Sequence, residues 1–335
     1  MKEKIDIVIP WVDGSDPEWL KEKNIYSENK TKIDDCRYRD WGLLKYWFRG
    51  IEKNASWINK IYFITWGHLP EWLNTNNEKL IIVNHKDYMP KEYLPTYNSN
   101  TILTNIHRIK GLSEHFIVFN DDVYLINKTK KTDFFIKGKP CDNIALNVHC
   151  PIKNNLIQNI CFNDAGIINN HFEFKKTFKK NITKWLNLHN GKELFRTLAL
   201  LGCPRYPGFY YHHLAQGYCK RTFETVWNLE YDYLHKASIN KFRDIGDVNE
   251  WLMKDWQVVE GNIEIRKYKL GKTFFLKDSL MPKQGEDIVK YIRNKKGKCI
   301  GINDGQLTGE KSQECTRKIV EAFESIFSDK SSFEK

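Results

Sequence analysis

The run Ile5-Asp6-Ile7-Val8-Ile9-Pro10-Trp11-Val12, closed by Asp13-Gly14-Ser15-Asp16-Pro17, reads as a buried strand that feeds a loop. β-Branched residues suit a packed, extended backbone, and Asp, Gly, Ser and Pro end it because they favour turns. Outward from that strand, Leu43, Leu44, Trp47, Phe48 and Ile51 recur at helical spacing within Trp41 to Ile51, and Ile61-Tyr62-Phe63-Ile64-Thr65 reads as a second strand. Strand, helix and strand make a βαβ unit. Leu80-Ile81-Ile82-Val83-Asn84-His85 adds a strand, Thr101 to Leu112 a helix, and Phe116-Ile117-Val118-Phe119 another strand. This alternation predicts the α/β class: a mostly parallel sheet flanked by helices.

Beyond about residue 130 the segments become shorter and more polar, and a largely helical insertion or second lobe is expected. Lys298-Cys299-Ile300-Gly301-Ile302 restores a strand, with Asn303-Asp304-Gly305 as its turn and an amphipathic helix ending near Phe327. The expected division is an α/β core over 1–130, a mostly helical lobe over 131–295, and a strand and helix over 296–335 that complete the core.

With 335 residues, 41% hydrophobic, the chain can bury a large core, and its 11 Trp, 16 Tyr and 19 Phe supply rings for that core and for stacking on sugars. The formal charge of +11 favours anionic partners, but the lysines are scattered, as in Lys175, Lys176, Lys179 and Lys180, with no ordered basic and aromatic alternation. Nucleic acid is therefore not expected as a partner. The eight cysteines form no CxxC pair, which argues against a zinc knuckle or a disulfide framework. The first apolar stretch is too short for a signal-peptide core or a membrane span, so a cytoplasmic protein is expected, with room for contact with the inner membrane face.

Five groups could carry chemistry. Asp13-Gly14-Ser15-Asp16 follows a strand, where open α/β sheets bind ligands; its carboxylates could orient a ribose, uracil or sugar hydroxyl, and a plain Asp-Gly turn is the alternative. Asn120-Asp121-Asp122 ends another strand, and Asp121 and Asp122 could offer oxygens to Mg²⁺ or Mn²⁺ bridging a diphosphate. Before the first long helix, Arg37-Tyr38-Arg39-Asp40 could neutralise phosphate and position an attacking hydroxyl, or Asp40 could cap the helix. Asn98, Ser99 and Asn100, followed by His107 and Arg108, could hold a donor. His212 and His213 suggest zinc, yet the other ligands of such a site are missing; an acid/base or phosphate-binding histidine fits better, with Arg243 further on.

Taken together these segments resemble the Stealth family of sugar-1-phosphate transferases. The resemblance runs through Ile5 to Asp16, including Trp11, Asp13 and Gly14; through Arg37 to Asp40, Trp57 to Thr65, Leu94-Pro95-Thr96, His107-Arg108-Ile109 and Phe119 to Asp122; through His213 to Phe242-Arg243 and Asp247-Val248-Asn249; and through Ile302-Asn303-Asp304 to Ser331-Ser332-Phe333-Glu334. It implies a nucleotide-sugar-binding, GT-A-like fold. It also implies transfer of a hexose 1-phosphate, such as GlcNAc 1-phosphate, from a nucleoside diphosphate sugar such as UDP-GlcNAc to a glycan hydroxyl in capsule or surface polysaccharide synthesis. Asp40, His213, Arg243 and Asp304 would be catalytic, with Asn303 beside them, and either Asp40 or His213 would be the base. Gly305-Gln306-Leu307 departs from relatives that carry further acids and histidines there, which counts against a metal site centred on Asp304. An ordinary glycosyltransferase releasing the nucleoside diphosphate and a non-catalytic carbohydrate-binding protein are the rival readings.

Overall fold

A computed structural model describes residues 3–27, 38, 41–153, 155–305, 307 and 309–335, with Lys311 as backbone alone. The strands are β1 (Ile5–Pro10), β2 (Ile61–Thr65), β3 (Leu80–Asn84), β4 (His115–Val118), β5 (Val123–Leu125), β6 (Phe135–Ile136), β7 (Lys139–Asp142), β8 (Gln216–Cys219), β9 (Glu264–Ile265), β10 (Gly271–Phe275) and β11 (Cys299–Asn303). The central sheet has the order β3-β2-β1-β4-β8; β1 to β4 run parallel and β8 antiparallel. The expected mostly parallel sheet is present. Because β1 lies between β2 and β4, the chain switches direction across the sheet there, the place where open α/β sheets bind ligands.

Side-chain alternation puts the two faces of this sheet into two cores. Ile5, Ile7 and Ile9 of β1, with Phe63 and Ile117, enter one; Val8, Tyr62, Ile64, Phe116 and Val118 enter the other. The helices are α1 (Pro17–Tyr26), α2 (Leu44–Asn54), α3 (Ser99–Thr104), α4 (Leu156–His171), α5 (Phe174–Lys180), α6 (Ile182–Trp185), α7 (Glu193–Ala199), α8 (Lys220–Leu229), α9 (Tyr231–Ile239), α10 (Trp251–Glu260), α11 (Lys283–Arg293) and α12 (Gly309–Ile326). Buried residues of α2, α11 and α12 line the first core; those of α3, α4, α8 and α10 line the second. The sheet is therefore covered on both sides.

Several elements depart from expectation. Helix α3 stops at Thr104, because Thr104 and Asn105 turn their side chains back onto the Thr101 carbonyl and a 3₁₀ turn at Ile106–Arg108 follows. Helix α2 starts at Leu44 with Leu43 in the cap position. The three consecutive segments do not form separate layers: β8 joins the central sheet, and β10 pairs with β11, which pairs with β5. Among the described residues no helix is long and apolar enough to cross a membrane.

Candidate active site

At the carboxyl end of β4, Asp122 faces His213, which lies just before β8. The Nε2–H of His213 donates to both carboxylate oxygens of Asp122 at 2.9 Å, and Asn303 Nδ2, at the end of β11, donates to Oδ2 at 3.1 Å. The backbone is fastened as well: the Ile302 amide donates to the Asp122 carbonyl and Thr273 Oγ1 to that of His213. Gly301 is required by this closeness, since a Cβ there would lie 2.7 Å from the His213 carbonyl oxygen. Burial disfavours both charges, yet the pairing prevails: Asp122 is held below the usual carboxylate value and His213 is raised above the usual imidazole value. Sequence elements far apart thus meet in an imidazolium–carboxylate pair.

The neighbouring His212 goes the other way. Burial lowers it to about 4 despite the Asp142 carboxylate, with Lys254 and Arg266 pushing the same way as burial. Lys254 Nζ lies 2.6 Å from Asp142, and the Arg266 guanidinium 3.3 Å. Tyr211 donates to Asp255 at 2.6 Å and stacks on Trp251 at 4.3 Å. The histidine loop is therefore anchored on α10 by its own side chains.

On the β1 side, Trp11 stacks on Phe63 at 5.6 Å and meets His68 edge-on at 5.3 Å. The Asp13 amide donates to His68 Nε2 at 2.8 Å, while Asp13 Oδ1 accepts from the amide and hydroxyl of Ser15. A Cβ on Gly14 would lie 2.2 Å from the Tyr38 carbonyl oxygen, so the loop tolerates only glycine against Tyr38. Arg37, Arg39 and Asp40 lie outside the described residues.

Asn98, Ser99 and Asn100 meet Arg243 and Asp247 rather than His107. Asn98 caps α3, accepting the Asn100 amide at 3.0 Å; Asn98 and Asn100 both donate to Asp247, at 2.7 and 3.2 Å, and Arg243 donates to the Ser99 hydroxyl. Asp247 also accepts from Asn240 and from the Asp244 amide. Arg243 and Asn100 border a cleft of about 310 Å³ with Lys153 and Asn155, large enough for a sugar phosphate. Glu250, missed from sequence, is buried at the start of α10; burial raises its carboxyl, and both Arg243 and His213 act on it electrostatically. Its position three residues beyond Asp247 was the available signal.

His107 and Arg108 go elsewhere. His107 packs near Phe223 and Trp227 and is lowered to about 3 by burial, with Arg108 and Lys220 adding to the effect; Arg108 lies over Trp227 at 4.6 Å. Lys220 follows β8, at the sheet edge opposite His213. His107 is thus buried in packing, while Arg108 stays exposed with its guanidinium across the Trp227 ring.

Asp304 uses Oδ1 to accept the Leu307 amide at 3.2 Å. Both Asp122 oxygens are engaged by His213 Nε2, and among the described residues no group of three or more His, Cys, Asp or Glu converges as the ligands of a preformed metal centre would.

The parallel β1 to β4 with β8 antiparallel at the edge, and the His213–Asp122 pair in the loops beyond β4 and before β8, define an α/β protein whose ionisable side chains gather at the carboxyl end of the sheet. Residues 3–31 match the model of Stealth protein conserved region 1, and residues 37–142 that of conserved region 2. The chain is 40% identical over 337 residues to the capsular polysaccharide phosphotransferase WcwK of Streptococcus pneumoniae, spanning 99% of this chain and 98% of that one. It is 40% identical to the receptor polysaccharide phosphotransferase WefC of Streptococcus gordonii over the full length of both, and 34% identical to the exopolysaccharide phosphotransferase cps2G of Lactiplantibacillus plantarum over 99% of this chain and 96% of that one. Among solved structures, the galactosyltransferase LgtC overlaps 98% of both chains with a TM-score of 0.38 and 7% identity. The chain belongs to the Stealth family, and it is a transferase enzyme.

Proposed function

We propose that this enzyme transfers a hexose 1-phosphate, such as GlcNAc 1-phosphate, from a UDP-linked sugar to a hydroxyl of a glycan acceptor during capsule or surface polysaccharide synthesis. The acceptor oxygen bonds to the β-phosphorus, the bond from that phosphorus to the bridging oxygen breaks, and UMP leaves with the electron pair. The product keeps one phosphate as a phosphodiester. Phosphoryl transfer asks chiefly for positioning and for cations around the phosphoryl oxygens. The charged His213 and Arg243 suit that task, and the names of the relatives support the same chemistry.

The observation that carries the reading is the His213–Asp122 pair. With Nε2 of His213 engaged by Asp122, the acceptor proton in this scheme passes to Asp40, while His213 and Arg243 hold the phosphoryl oxygens. Mg²⁺ or Mn²⁺ enters only as a companion of the donor diphosphate, and no step is assigned to it. A screen of nucleotide sugars for released UMP tests the proposal. Asp40→Asn and Arg243→Ala should each abolish release with the fold retained, and near-normal turnover in either removes that residue from the scheme.

A further inference from the structure

Helix α7 is built inside out. Glu193 and Thr197, one turn apart, face inward, and the Thr197 hydroxyl accepts the Leu146 amide at 3.1 Å. Phe195 and Leu198, three residues apart on the outer face, are 75% and 45% exposed, and Leu188, in the 3₁₀ turn before the helix, is 83% exposed. A helix covering a core in water has the opposite pattern, and large apolar side chains grouped at a surface mark an interaction site.

The same stretch is basic. Residues 175–205 hold eight lysines and arginines and one acid, Glu193, so 8 minus 1 gives +7 of the chain's +11. Lys184 turns inward to the carbonyls of Gly261 and Ile263, whereas Lys175, Lys176, Lys179, Lys180 and Lys192 are exposed. A soluble polyanion would use these lysines and leave Leu188, Phe195 and Leu198 in water. An anionic bilayer uses both, drawing the cations to its headgroups and admitting the apolar side chains below them.

The surface also adjoins the site. Arg196 lies over the Tyr210 ring at 5.0 Å, and Tyr210 meets His212 edge-on at 4.8 Å, next to His213. We propose that the outer face of α7 and the turn before it form an interfacial surface for an anionic phospholipid membrane, holding the site close to the lipid. This does not depend on which group the enzyme transfers.

The test uses the full chain and vesicles of phosphatidylcholine, alone or mixed with phosphatidylglycerol. Wild type should sediment with the mixed vesicles and far less with the neutral ones. Phe195→Ser/Leu198→Ser and Lys179→Glu/Lys180→Glu/Lys192→Glu should each weaken that binding at least about tenfold. Thermal unfolding and turnover of a water-soluble acceptor should stay as in wild type. Failure of wild type to bind mixed vesicles would overturn the proposal, as would undiminished binding by the Phe195→Ser/Leu198→Ser variant. So would retention on heparin without vesicle binding, or a wild-type dimer that the serine variant splits.

Discussion

His212 and His213 are adjacent in the chain and shifted in opposite directions, because burial lowers His212 while the Asp122 carboxylate raises His213 against its own burial. The depressed Asp122 contributes stability above the ordinary aspartate value, lost as pH falls through its lowered value. The elevated His213 contributes below the ordinary histidine value, lost as pH rises through its raised one. The pair is thus fully stabilising from about pH 4 to about pH 6.5. Asp122→Asn should lower the His213 pKa and move the alkaline limb of the kcat/KM profile to lower pH; an unmoved limb would detach the imidazolium from turnover. His213→Asn should cost at least about a hundredfold in kcat. Glu250→Gln should reduce turnover with little change in Tm, whereas wild-type turnover would make Glu250 a bystander. Asp122, His213 and Asn303 were legible because each belongs to a recognisable block of sequence. Glu250 was not, because its distinction is burial beside two cations, and a lone glutamate at a helix start does not display that.

At the scale of elements, the close approach of β11 to the histidine loop decides where His213 stands. Gly301→Ala would add a Cβ 2.7 Å from the His213 carbonyl, so a destabilisation of about 1–3 kcal/mol is expected, with a larger proportional loss of kcat. A loss of stability without loss of kcat would show that the loop accommodates the shift. The Asp247 carboxylate joins the loop carrying Arg243 to the start of α3. Asp247→Ala leaves those buried amides unpartnered, which should cost about 3 kcal/mol by chemical denaturation and raise the donor KM. The parallel strands β1 to β4 were legible from their apolar runs. Gln216-Gly217-Tyr218-Cys219 was not, since it becomes β8 by pairing antiparallel with β4 rather than through any pattern of its own. His107 misled for the converse reason: Phe223 and Trp227, more than a hundred residues away, enclose it.

Across the whole molecule, the C-terminal Ser331-Ser332-Phe333-Glu334 closes the first core. Arg49 grips Glu334 through two hydrogen bonds at 2.8 and 2.7 Å, and Phe333 lies against Phe48 at 5.2 Å. Glu334→Ala strands a buried guanidinium and should cost about 3–5 kcal/mol, read as a lower Tm; an unchanged Tm would deny the clasp. The two cores pack on opposite faces of one sheet, whose carboxyl end carries the loops after β1 and β4. What the enzyme does is decided by where the donor's β-phosphorus goes. Supplied with a UDP-sugar labelled at the β-phosphate and a glycan acceptor, the enzyme should release UMP and leave the label in the product as a phosphodiester; release of labelled UDP with a phosphorus-free glycan would contradict the account.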